Sequence, residues 1–404
     1  MSGANPDSVV IVGAGQAGGR AAEALRAARF AGSITLIGDE VHLPYERPQL
    51  SKSILLDHAI APAFLRSLDQ WSDLEVEVCT GTSAVECDYE RRLVGLADGR
   101  EYRFDRLLLA TGTRPRRLAA LEKGPIPVHY LRNLNDALSL RGVIESSCRI
   151  LLIGGGVIGL EVAAAAVSRG CSVTIVEAAE HLLAQVGARA ISDHFKKLHI
   201  EQGVRILTGV TALRSISGAV ELSDGSLNHA DVILVGIGVQ PSLDLARALG
   251  LRSSEGIRVD ARGATELEGV YAAGDVALQW NRCGDRWMRI ENWANALNQA
   301  GATAAAMVEQ GKAYDAAPWF WSDQYATNLQ VAGSFVQAEE IVRGDPDSGR
   351  FSVIGLRDGE IVGAATVNAS RGMALLRRMV SMSTRPGRAS LEDPATDLRR
   401  LLSA

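Results

Sequence analysis

The chain holds five cysteines among 404 residues: Cys79, Cys87, Cys148, Cys171 and Cys283. No two of them form C-x-x-C, which excludes a dithiol redox motif of that type, and an odd count without pattern fits reduced, structural thiols. The seven histidines are scattered, so zinc-type ligand spacing is missing as well and no metal is expected. Long apolar runs are also missing. None approaches the roughly 20 residues that a membrane-spanning helix needs. The apolar run at 9–12 has no basic segment before it and is too short for a signal peptide, so the expectation is a cytoplasmic protein without a membrane partner. A basic excess is absent too: 42 Lys and Arg stand against 47 Asp and Glu, a net charge of -5. That balance argues against nucleic acid, whose phosphates want a basic surface. What remains is an ordinary α/β composition, 47% hydrophobic and 22% charged, long enough for two or three domains.

What the chain does have is one glycine pattern written twice. The segment VVIVGAGQAG places Gly13, Gly15 and Gly18 after an apolar run, and ILLIGGGVIG does the same with Gly154, Gly156 and Gly159. Each reads as strand, tight turn, helix, with glycine letting the backbone approach a pyrophosphate that rests on the helix N-terminus. Two such loops imply two nucleotides, held together so that electrons pass between them. The repeat extends further. Short β-branched runs follow at 34–37 and 173–176, and apolar strands ending in glycine follow at 104–112, closing on Thr111-Gly112, and at 231–238, closing on Gly238. The second module is therefore inserted into the first. The expected parts are 1–110 and 237–318 for the first nucleotide, 111–236 for the second, and 319–404 as a small α+β domain.

An acidic residue at the end of the second strand of such a unit accepts from a ribose hydroxyl. In the second module this is Glu177; no arginine stands nearby to receive a 2′-phosphate and the carboxylate repels one, so NADH is expected over NADPH. In the first module it is Asp39, with Glu40 as neighbour. The run VYAAGDVA ends a strand in Gly274-Asp275, where Asp275 suits the ribityl chain of FAD. The loop LPYERPQLSK carries Arg47, suited to a pyrophosphate, and Lys52, suited to negative charge on a reduced flavin; a solvated loop is the alternative. Glu161 starts the second fingerprint helix, where it competes with a phosphate for the helix dipole unless it turns to the flavin and pairs with Lys52; a capping or solvated role is the alternative. Trp321 lies in the cluster PWFWSDQ, either as core or as cover for the flavin and a path for electrons. Strands are expected at 330–335, 351–356 and 361–367, a hairpin turn at Asp358-Gly359, and helices at 371–382 and 390–403. Arg371, Arg377, Arg378, Arg385 and Arg388 give 371–390 a local charge of +5, a solvated face or a docking patch.

Taken together, LPYERPQLSK, GGGVIGLE, VYAAGDVA, ENWANA and PWFWSDQ resemble the ferredoxin reductase components of bacterial aromatic-ring dioxygenases. The chain is particularly similar to the biphenyl dioxygenase reductases, with putidaredoxin reductases and apoptosis-inducing factors more distant. The resemblance covers essentially the whole chain. Gln49 stands where the family has a second proline, while Arg47 and Lys52 are kept. It implies a glutathione-reductase-like α/β flavoprotein with two dinucleotide-binding domains and a small α+β C-terminal domain. It also implies non-covalent FAD, with Glu291 and Trp293 of ENWANA among its contacts, and NADH as hydride donor. The partner is then a [2Fe–2S] ferredoxin that feeds a terminal oxygenase, and the chain itself a monomer or homodimer. With no cysteine pair, the flavin is the natural exit for electrons. Two other readings stay open: a reductase of a small molecule such as the ascorbate radical, and a flavin-bearing signalling protein of the apoptosis-inducing-factor type.

Overall fold

The computed structural model describes residues 6–252 and 254–402. Contacts divide the chain into two units. The first runs from the N-terminus to Arg47 and continues with Pro62–Arg114 and Gln240–Ala316; the second comprises Pro48–Ala61, Pro115–Val239 and Ala317 to the C-terminus. The sequence alone divides the chain at 110, 236 and 318; by contacts, the C-terminal segment and the short segment carrying Lys52 join the second unit.

The first unit is built on a five-stranded parallel sheet in the order Val270–Ala272, Arg106–Leu109, Ser8–Val12, Ser33–Ile37, Val76–Cys79. The strand Ser8–Val12 is buried at four of its five positions, as expected where both faces of a parallel sheet are covered. One cover is the helix Gln16–Ala27. Its Ala17, Ala21 and Ala22 share a core with Ala296, Ala300 and Ala304 of the helix Trp293–Met307. Small side chains along the seam let the two helices lie close.

The second unit repeats the design with the order Arg205–Thr208, Ser172–Glu177, Arg149–Ile153, Val232–Val235, Val128–His129, again parallel. Its fingerprint helix, Val157–Ser168, is buried at every position from Gly159 to Ala166. It shows no polar stripe because it is covered on more than one side: the strand Ser172–Glu177 and the C-terminal strand Trp319–Gln324 both pack on it. The C-terminal sheet is antiparallel, in the order Trp319–Gln324, Thr327–Gly333, Glu360–Val367, Arg350–Arg357, Glu339–Asp345. The helix Ser370–Ser381 closes one face with Met373, Leu376, Met379 and Val380.

The Asp358-Gly359 turn is present, with φ of 52° and 79° at its two residues, the left-handed pair that a two-residue hairpin demands. In the C-terminal segment two strands were not expected, Trp319–Gln324 and Glu339–Asp345. The helical stretch expected at about 390–403 is, over its described residues to 402, a short helix Arg388–Glu392 and a 3₁₀ turn Leu398–Leu402; residue 403 lies outside the described residues. Pro394 removes a helical N–H donor. The carboxylate of Asp393 accepts instead from the Ala395 N–H at 2.9 Å and the Thr396 hydroxyl at 2.8 Å, a local bond that competes with the helix. Among the described residues no helix is long and apolar enough to cross a membrane.

Candidate functional site

In the first unit, the strand Ser8–Val12 delivers the chain to Gly13 at φ +115°, where a Cβ would stand 2.1 Å from the Ala110 carbonyl oxygen. In the second, Gly154 at φ +109° would meet the Gly236 carbonyl oxygen at 2.4 Å. Only glycine fits either corner. The helices that follow start at Gly15 and Gly156, and neither N-cap offers a side-chain acceptor. Their leading N–H groups therefore face outward with the positive end of the helix dipole behind them, the arrangement that holds a pyrophosphate. At the first turn in the first unit, the side-chain oxygen and nitrogen of Gln16 are both buried without a hydrogen-bond partner. An orphaned amide beside an uncapped helix fits a bound nucleotide.

The other residues expected at the first nucleotide gather around that loop. The Arg47 guanidinium lies 3.7 Å from where a Gly15 Cβ would be, so it covers the glycine turn. It donates to Glu40 at 2.6 Å, and the Tyr45 hydroxyl donates to the same carboxylate at 2.6 Å. Asp39 is exposed; the acid tied to the loop is its neighbour Glu40. Gly274 takes φ +78° and donates its N–H to Gln299 at 2.9 Å. Arg289 donates to the Asp275 carbonyl at 3.0 Å and pairs with Glu291. The Thr111 hydroxyl donates to the Ser242 carbonyl at 2.8 Å, beside Gly112 at φ +62°. The Trp293 indole N–H donates to Glu46, which also pairs with Arg20 at 2.8 Å. Gln16, Glu46 and Gln299 escaped the reading of the sequence, which named Glu40 only as the neighbour of Asp39. Gln16 had a signal, a long polar side chain between two fingerprint glycines.

In the second unit, Glu177 closes its strand against the glycine loop. One oxygen accepts from the Gly155 N–H at 2.6 Å and the other from the Ala179 N–H at 2.7 Å. Gln185, which nothing in the sequence singled out, lays its amide 3.2 Å from where a Gly156 Cβ would be. Gly238 takes φ +91°.

The same unit brings Lys52, Glu161 and Trp321 together. The Lys52 ammonium lies 3.2 Å from Glu161, 3.5 Å from Asp323 and 5.7 Å from the centre of the Trp321 ring, and Trp321 stacks on Trp319 at 5.5 Å. Glu161 is only 4% exposed. The hydroxyls of Ser51 and Ser322 donate to its two oxygens, the second at 2.7 Å. Burial pushes the Glu161 carboxyl above the usual range, against the opposing pull of Lys52 and the two hydroxyls. Its capping and solvated roles are excluded. Lys52 is itself held. It precedes the short helix Ser53–Leu56, whose closing carbonyls are gripped by two arginines: Arg169 at Leu55, 2.7 Å, and Arg141 at Ile54, 3.3 Å. Of the arginines expected to form a patch at 371–390, Arg385 is neutralised by Glu360, and Arg388 by Glu339 and Glu392, so the local surplus is smaller than +5. Arg377 lies over the Trp319 ring at 4.3 Å.

A duplicated, uncapped glycine loop is the mark of enzymes that carry two nucleotides, and comparison with known proteins bears on which. Residues 7–300 match the model of the pyridine nucleotide-disulphide oxidoreductases. The chain belongs to the pyridine nucleotide-disulphide oxidoreductase family. Residues 319–402 match a second model, the reductase C-terminal domain. The chain is 41% identical over 399 residues to the ferredoxin--NAD(+) reductase component of the p-cumate 2,3-dioxygenase system of Pseudomonas putida, covering 98% of this chain and 99% of that one. It is also 41% identical to the corresponding component of the anthranilate 1,2-dioxygenase system of Burkholderia cepacia, covering 98% and 99%. Among solved structures it resembles the ferredoxin reductase for the CYP199A2 system of Rhodopseudomonas palustris, with a TM-score of 0.94, 35% identity, and coverage of 98% and 99%. It also resembles the reductase in a covalent putidaredoxin reductase–putidaredoxin complex, with a TM-score of 0.93, 35% identity, and coverage of 98% of each chain. Membership of this family makes the chain an oxidoreductase.

Proposed function

We propose that the protein is an NADH-dependent ferredoxin reductase that carries non-covalent FAD and supplies electrons, one at a time, to a [2Fe–2S] ferredoxin serving an aromatic-ring oxygenase. The observation that carries this reading is the pair of uncapped fingerprint helices in a chain without a C-x-x-C dithiol. The named relatives support the choice of ferredoxin as acceptor. A flavin held at this site would supply the chemistry that converts the two electrons of one hydride into two single-electron transfers. The chain's own residues bind and orient. Gly13, Gly15, Gly18, Arg47 and the first helix N-terminus hold the FAD pyrophosphate. Glu40 or Asp39 meets its ribose, and Thr111, Gly112, Gly274, Asp275, Glu291 and Trp293 shape the remainder of its site. Gly154, Gly156, Gly159 and Gly238 receive NADH, with Glu177 on the adenosine ribose. Lys52, paired with Glu161 and Asp323, provides the positive charge beside the flavin ring, and Trp321 lies on the electron exit. The sequence-based division at 110, 236 and 318, a cytoplasmic location and a monomeric or homodimeric state belong to the same proposal.

The test is steady-state NADH oxidation by the yellow holoprotein with ferredoxin and cytochrome c, set beside ferricyanide, monodehydroascorbate and hydrogen peroxide. Ferredoxin-dependent turnover well above the small-molecule rates is expected. Turnover with monodehydroascorbate or peroxide alone would move the protein to the small-molecule reductases.

A further inference from the structure

Glu161 stands at one end of a buried row of polar side chains that the proposed reaction does not use. Ser322 donates to Glu161 at 2.7 Å, Gln324 donates to Ser322 at 3.1 Å, His199 meets the Gln324 side-chain oxygen at 2.8 Å, and the Tyr325 hydroxyl meets the other His199 ring nitrogen at 3.1 Å. Ser322, Gln324 and His199 are each 0% exposed, while Tyr325 is half-buried. The row joins the helix Val157–Ser168, the strand Trp319–Gln324 and the helix Arg189–Glu201, all inside the second unit.

The carboxylate fixes the direction of every bond. An ionised Glu161 only accepts, so the Ser322 hydroxyl donates to it and must itself accept. The Gln324 amide then turns its nitrogen to Ser322 and its oxygen to His199. His199 must carry its proton on Nε2, and its bare Nδ1 accepts from Tyr325. The ring is neutral, because burial pushes its pKa below the ordinary histidine value. Four donors in line point at one carboxylate, each polarising the next.

We propose that His199 is a positioning residue which, through Gln324 and Ser322, aims a hydrogen bond at Glu161 and so holds that carboxylate ionised against Lys52. The charged groups meeting this row are Lys52, on the loop before Ser53–Leu56, and Asp323, which reaches Glu161 only through Lys52. Facing His199 are Gln324 and the Tyr325 phenol, and burial raises the latter to about 12, so it stays a donor at every working pH. The reading of Glu161 as a residue of the flavin site is presupposed.

Infrared titration of the holoprotein with carbon-13-labelled glutamate reads Glu161 protonation directly, with Glu161→Gln identifying the band. In His199→Leu the protonation constant should rise about tenfold, moving the midpoint up by about one pH unit. Ser322→Ala, which cuts the last link, should do the same or more. His199→Gln, which keeps a donor for Gln324, should return the midpoint toward wild type. Nitrogen-15 NMR of wild-type His199 should report the Nε2–H tautomer. An unshifted midpoint in His199→Leu, or the Nδ1–H tautomer, overturns the proposal. Should His199→Leu fail to fold, Tyr325→Phe at the half-buried end decides: a smaller upward shift supports the row and none refutes it. Failure of wild-type ferredoxin turnover would instead sink the functional reading while leaving these titrations interpretable.

Discussion

Glu177 and Lys52 each place one charge where a single substitution reads its effect. Glu177 presents a carboxylate already anchored on two backbone N–H groups, so a 2′-phosphate meets a negative group that cannot swing away. The wild type should prefer NADH to NADPH by at least tenfold in kcat/KM, about 1.4 kcal/mol in the transition state. Glu177→Gln, which keeps an acceptor but drops the charge, should narrow that ratio; steady-state kinetics with both nucleotides measure it. Lys52→Met should slow flavin reduction in stopped flow and leave Glu161 without its cation, at a cost of about 3 kcal/mol typical of a broken buried pair. The cost depends on pH. The folded carboxyl already titrates above its ordinary 4.5, and losing Lys52 raises it further. Stability is then fully kept below the unfolded value and lost as pH rises through the folded one. The melting temperature of Lys52→Met should therefore fall further below wild type at pH 8 than at pH 5. The sequence offered both residues of the pair but not their shell. Ser51, Ser322 and Gln324 are ordinary residues until the fold brings positions 110 and 161 residues apart against one carboxylate.

At the scale of elements, the two glycine corners should be separable. A methyl group at Gly13 collides with the Ala110 carbonyl and one at Gly154 with the Gly236 carbonyl. Gly13→Ala should lose FAD on gel filtration. Gly154→Ala should stay yellow, with a KM for NADH raised at least tenfold; colourless protein from the second variant would contradict independent loops. These corners were legible because a turn of that geometry admits one residue type. So was the Asp358-Gly359 hairpin. The strands Trp319–Gln324 and Glu339–Asp345 were not. The first mixes three aromatics with polar residues, of which Ser322 and Gln324 become buried only where the fold brings Glu161 and His199 against them. The second is an edge strand with little apolar alternation. The helix expected at 390–403 failed for a reason that was in plain view: Asp393-Pro394 is a stop signal.

At the scale of the whole molecule, a chain of net charge -5 must receive a partner through local charge. [2Fe–2S] ferredoxins are mostly acidic, and exposed charges act chiefly on encounter rate, screened over about 8 Å at physiological salt. Ferredoxin-dependent turnover should fall as salt rises from low to physiological strength, while NADH-to-ferricyanide turnover stays nearly flat. Parallel curves for the two acceptors would refute electrostatic docking. Charge reversal at Arg371 or Arg378 should reproduce the split more strongly than reversal at Arg385 or Arg388, whose charges are already met by glutamates. The doubled module was readable from the spacing of its glycines. The grouping of residues 48–61 with the second unit was not, because it depends on Arg141 and Arg169 reaching back to that segment. The likeness of the two glycine corners has a practical side. Both loops solve the same backbone problem with closely similar φ at Gly13 and Gly154, and on the function proposed above the choice of nucleotide falls to neighbours such as Arg47 and Glu40 at one and Glu177 and Gln185 at the other. An engineer can therefore rewrite coenzyme preference at the second while leaving the prosthetic group of the first undisturbed.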